Sequence, residues 1–78
     1  MSLRAITKSN RINGKAIKKA RTTRKLSQAK LADMANVSAN VVKRLESGKN
    51  VKVIHYFAVC DALGYFAMEF INRRAMYV

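Results

Sequence analysis

A chain of 78 residues allows one small domain and leaves no spare core for a deep catalytic cavity. Sixteen Lys and Arg stand against four acids, a formal charge of +12, and residues 1–32 hold ten cations with no acid before Asp33. That sign asymmetry exceeds what solubility needs and attracts polyanions such as duplex DNA, while the single Cys60 excludes an internal disulfide and a multi-cysteine zinc site.

Residues 1–12 read as a basic N-terminal arm. Leu3, Ala5 and Thr7 alternate weakly with Arg4, Ile6 and Lys8, but a loose chain end is the expected state. A first helix is expected from about Asn13, whose side chain can cap it. Ala16, Ile17, Ala20 and Arg24 share one helical face, and Lys15, Lys18, Lys19 and Thr22 face elsewhere. Arg21, four residues after Ile17, borders the apolar stripe, an odd place for an unpaired charge. Ser27 caps a second helix, Gln28 to Ala35, with Leu31, Ala32 and Ala35 turned inward. Asn36 ends it, because asparagine tolerates the left-handed backbone of a tight turn.

Val37 fills the space under that turn. Ser38 is placed to cap a third helix, Ala39 to Ser47, anchored by Val41, Val42 and Leu45 and stopped by Gly48. Lys49 to Lys52 form a loop. A fourth helix runs from Val53 to Leu63, with Val53, Tyr56, Phe57, Val59, Cys60 and Leu63 on its apolar side and Gly64 at its end. A fifth helix is expected over Phe66 to Arg74, before a short tail. The chain is therefore expected to be all-α, a compact bundle of four to five short helices, with residues 13–64 as the main domain and residues 65–78 as a C-terminal helix and tail.

The decisive stretch is Gln28 to Ser47. Ala32 must be small where two helices cross closely, Asn36 supplies the turn, and Val42 and Leu45 hold the third helix so that its other face points outward. Four segments then resemble the Xre/Cro family of lambda-repressor-like helix-turn-helix domains: Leu26-Ser27-Gln28-Ala29-x-Leu31-Ala32, Asn36-Val37-Ser38, Leu45-Glu46-Ser47-Gly48-Lys49 and Ala62-Leu63-Gly64. Together they are specific and cover about Lys15 to Gly64. Asn36 departs from the family's usual glycine, and Lys30 from a common acid.

The resemblance implies roles for particular residues. Ala39, Asn40 and Arg44 match base-reading positions. Asn40 suits adenine N6 and N7, Arg44 suits guanine O6 and N7, and Ala39 can touch a thymine methyl. Gln28 matches a backbone-contacting glutamine at a helix N-terminus. Ser38, Lys43, Lys49, Asn50 and Lys52 are expected on the DNA backbone around it. The resemblance also implies an Arg21–Glu46 ion pair joining the first and third helices and orienting the reading helix.

His55 stands alone and reads as a surface or partly packed residue, and Cys60 reads as a small core residue. With dispersed acids and no glycine-rich phosphate loop, no enzyme activity, metal or cofactor is expected. No segment approaches the roughly 20 apolar residues of a membrane span, and no apolar run follows the N-terminal charges as a secretory leader requires. A cytoplasmic protein without membrane association is expected.

Phe57, Phe66, Met68, Phe70, Ile71, Met76 and Tyr77 exceed the needs of one small core. Phe57, Phe66, Phe70, Ile71 and Tyr77 are expected to form a homodimer interface. The leading functional expectation is a phage or mobile-element repressor of the Cro type on a near-palindromic operator. The alternative is an antitoxin whose apolar tail shelters a toxin.

Overall fold

Asn13 is extended, and its side-chain oxygen accepts from the Ala16 N–H at 3.1 Å, so the chain enters helix α1 (Gly14–Thr23) through a capped first turn. The computed structural model describes residues 12–71, and α1 is the first of four α-helices among them. Lys25 at φ 57° redirects the chain after α1. Ser27 then caps α2 (Gln28–Ala35) by accepting from the Lys30 N–H at 3.0 Å. Asn36 adopts φ 57°, ψ 44°, the left-handed conformation expected of it, and Val37 donates its N–H to the Ala32 carbonyl at 3.0 Å.

Helix α3 (Ala39–Glu46) ends one residue short of the expected boundary, with Ser47 as its C-cap and Gly48 at φ 76° behind it. Ser38 sits at the N-cap position, but its side chain makes no cap hydrogen bond. Helix α4 (Val53–Leu63) has the expected limits, and Gly64 at φ 79° closes it with Tyr65 N–H on the Cys60 carbonyl at 2.9 Å.

Helix α2 packs on α3 and α4, and α1 packs on α3. Ile17, Leu31, Val42, Leu45, Tyr56 and Val59 are completely buried where these helices meet. Each such side chain contributes roughly 1.5–3 kcal/mol of apolar burial. Leu31 and Ala32 from α2 and Val42 and Leu45 from α3 all point inward, so the opposite face of α3 is turned to solvent.

The expected fifth helix is not one. Only a single 3₁₀ turn forms, α5 (Ala67–Phe70), and Ile71 is extended and bridges antiparallel to Ile12. The reason is packing across the N-terminus of α1. The Phe70 carbonyl accepts from the Asn13 N–H at 2.5 Å, which holds the chain at Ile71 in an extended rather than helical conformation. Ile12, placed by its sequence position in the basic arm, is 4% exposed and belongs to the core. Residues 72–74 of the expected helix lie outside the described residues.

Tyr56 fastens this turn to α4. Its hydroxyl donates to the Ala67 carbonyl, and burial raises its pKa so far that it stays neutral. Replacing Tyr56 by Phe should cost about 1–3 kcal/mol, because the Ala67 carbonyl loses its donor. A melting temperature lowered by roughly 4–8 °C per kcal/mol checks this. Cys60, one turn later, is buried, and burial pushes its thiol up to about 11. That fits an inert core thiol rather than a nucleophile.

Arg24 also departs from expectation. Helical spacing puts it on one face with Ala16, Ile17 and Ala20, but the helix has already ended at Thr23 and Arg24 is exposed. Its guanidinium lies over the Tyr65 ring, 5.2 Å from the centroid.

Candidate nucleic-acid interface

Two helices and one ion pair set the geometry of the outward face. Glu46, at the end of α3, accepts from Arg21 twice, Nε to Oε2 at 2.5 Å and Nη2 to Oε1 at 3.0 Å. Arg21 Nη1 also donates to the Leu26 carbonyl at 2.7 Å, so one guanidinium ties α1, the α1–α2 connection and α3 together. The pair is nearly dry, with side chains 10% and 5% exposed. A fork-to-fork bond in such a place fixes direction as well as distance.

Glu46 has a second partner that the sequence did not reveal. Gln28 Nε2 donates to Glu46 Oε1 at 3.1 Å. Gln28 is half-buried at the start of α2, so this bond orients its amide, and the nitrogen keeps a second hydrogen for an outside acceptor. Arg21, Glu46 and Gln28 thus form one network joining the structural ion pair to an expected phosphate contact. The expected pair is present, and its extension to Gln28 comes from the way α2 crosses α3.

Gly14 is a further residue whose role depends on α3. A Cβ there would stand 2.5 Å from the Leu45 carbonyl oxygen and 2.7 Å from that of Glu46. Helix α1 therefore begins in backbone contact with the end of α3. The only local signal is a glycine placed directly after a capping asparagine, which by itself reads as a poor helix former.

On the outward face, Ala39, Asn40 and Lys43 are exposed on α3, and Ser38 is exposed just ahead of them. Lys49, Asn50 and Lys52 are exposed in the loop that follows, so the candidate residues lie along one helix and its exit. Arg44 differs from the others. It is half-buried, and its Nε and Nη2 donate to the Asn50 carbonyl at 3.0 and 2.8 Å. Its side chain borders an open groove with Val41, Val51, Val53 and His55. Between Ser38 and Lys52 the one acid is Glu46, whose carboxylate is occupied by Arg21 and Gln28.

A capped helix, a left-handed turn at Asn36 and a second helix with its outer face free form the geometry of a helix-turn-helix. The helix-turn-helix family model matches residues 17–66. The chain belongs to the Xre/lambda-repressor-like helix-turn-helix family. This family consists of DNA-binding regulators, and the protein is a DNA-binding regulator of transcription. No curated protein matches the chain in sequence. The match begins inside α1 and ends beyond α4, so α2, α3 and α4 lie wholly within it. Among the described residues no helix is long and apolar enough to cross a membrane.

The residues expected at a dimer interface separate into different environments. Phe57 and Phe66 are 43% and 82% exposed. Phe70, by contrast, is 3% exposed, with its ring 5.0 Å from that of Tyr65. It is part of the domain's own core and offers no surface to a partner, because the 3₁₀ turn rotates it inward. Ile71 is half-buried against Ile12, and Tyr77 lies outside the described residues.

Proposed function

We propose that this helix-turn-helix protein is a sequence-specific repressor of the Cro type, of a phage or other mobile element, that lays α3 in the major groove. The observation that carries this reading is the outward face of α3, where Ala39 and Asn40 stand exposed while Val42 and Leu45 are completely buried behind them. Asn40 is suited to bond adenine N6 and N7, and Ala39 to touch a thymine methyl. Gln28, Ser38, Lys43, Lys49, Asn50 and Lys52 surround them and hold the phosphates.

The protein works as a homodimer in this reading. Ile54 and Met68 are 71% and 68% exposed, and with Phe57 and Phe66 they supply apolar surface on α4 and the segment after it. Two protomers would present two α3 helices about 34 Å apart, matching a near-palindromic operator. Occupying a promoter would block transcription.

Asn40→Ala tests the reading. Selection of sites from random DNA should return a defined consensus for the native protein. The variant should lose roughly 1–3 kcal/mol of discrimination at one adenine. An unchanged preference, or equal binding to selected and scrambled DNA at physiological salt, overturns it. Sedimentation of the protein alone reports the dimer. A monomer that associates only with a neighbouring gene product would favour the antitoxin reading instead.

A further inference from the structure

Arg44 holds the loop after α3 at two points. Its own carbonyl accepts from the Lys49 N–H at 2.8 Å. Its guanidinium reaches over and gives two donors, at 3.0 and 2.8 Å, to the Asn50 carbonyl. Val51 packs against the core within this segment, while Lys52, the N-cap of α4, makes no side-chain cap bond. The first turn of α4 hangs from the same residue, since His55 and Tyr56 both donate to the Lys52 carbonyl at 3.0 Å.

A guanidinium can meet guanine through either of two forks, side-on with Nε and Nη2 or end-on with Nη1 and Nη2, provided that the side chain is turned toward the base. The side-on fork of Arg44 is spent on the Asn50 carbonyl, and these two bonds lay the half-buried side chain along the protein rather than away from it, leaving only the end-on edge free. The exposed cations of the loop, Lys49 and Lys52, flank the clamped carbonyl in sequence. Their reach toward DNA depends on where that backbone is held.

From this geometry we infer that Arg44 is a positioning residue for a phosphate-binding loop, not a reader of bases. It acts through the Asn50 carbonyl to set Lys49 and Lys52 on the DNA backbone, and leaves base discrimination to Ala39 and Asn40. This inference rests on the proposed DNA reading for its functional part, while the clamp itself is a property of the free protein.

The two parts are tested separately with Arg44→Ala and Arg44→Lys. In the free protein, amide hydrogen exchange should quicken at Lys49, His55 and Tyr56 in both variants, because an ammonium cannot supply the paired side-on donors. The Leu31 and Leu45 amides report global stability and should change far less. In site selection, Arg44→Ala should keep the native consensus while affinity falls about tenfold, and the slope of log K against log salt should shrink by about 1–2 as loop phosphate contacts are lost. Loss of a preferred guanine in the consensus, with unchanged exchange at the three loop and helix amides, overturns the inference. Failure of the native protein to select any site sinks the DNA reading, and the exchange measurement still decides the clamp.

Discussion

Replacing Glu46 by alanine should cost about 3–5 kcal/mol, the loss expected when one partner of a buried pair is removed. The carboxylate is 5% exposed and takes three hydrogen bonds, two from Arg21 and one from Gln28. Removing it leaves the guanidinium with only the Leu26 carbonyl in a site almost closed to water. A domain of this size is stable by roughly 4–12 kcal/mol, so the variant should lose between about a quarter of its stability and all of it. Urea titration measures this directly. A shift below about 1 kcal/mol would mean that the pair behaves as a screened surface bridge. The double variant Arg21→Met, Glu46→Leu should recover much of the loss, since apolar side chains of similar volume remove both charges together. Recovery would not extend to DNA affinity if orientation of Gln28 through Glu46 matters, because its amide would lose its partner.

Gly14→Ala should destabilise the protein by about 1–3 kcal/mol, although the same change inside a helix ordinarily stabilises by about 1 kcal/mol. The sign is reversed by two backbone carbonyls. The new Cβ would lie 2.5 and 2.7 Å from the Leu45 and Glu46 oxygens. Neither oxygen belongs to a side chain that can swing aside. Moving them means shifting α1 away from the end of α3, where the Arg21–Glu46 pair spans the same two helices. The measured unfolding midpoint should fall, and operator affinity should fall with it as α3 tilts. A variant more stable than the native protein would show that the helices separate at little cost.

Much of this architecture was legible from local rules. Helix α2 runs from Gln28 to Ala35 and α4 from Val53 to Leu63, as their caps and apolar spacing foretold, because each cap is a bond within a few residues. Asn36 was readable as a left-handed turn for the same reason. The position of Arg21 beside an apolar stripe already demanded a partner, and the family pattern supplied Glu46. The segment after Gly64 was not legible. Its apolar spacing fits a helix, yet the Asn13 N–H captures the Phe70 carbonyl and Ile12 pairs with Ile71 from far away in the chain.

The sequence by itself determined the four α-helices, the caps at Asn13 and Ser27, the turn at Asn36 and the excess of positive charge, since these follow from interactions between near neighbours and from composition. Only the tertiary structure decided that Gly14 meets α3, that Gln28 joins the ion pair, that Phe70 is core rather than surface, and that Arg44 is turned onto the Asn50 carbonyl. The physical reason is that helical periodicity says which way a side chain leaves its own helix, while what it then meets depends on how the elements around it cross.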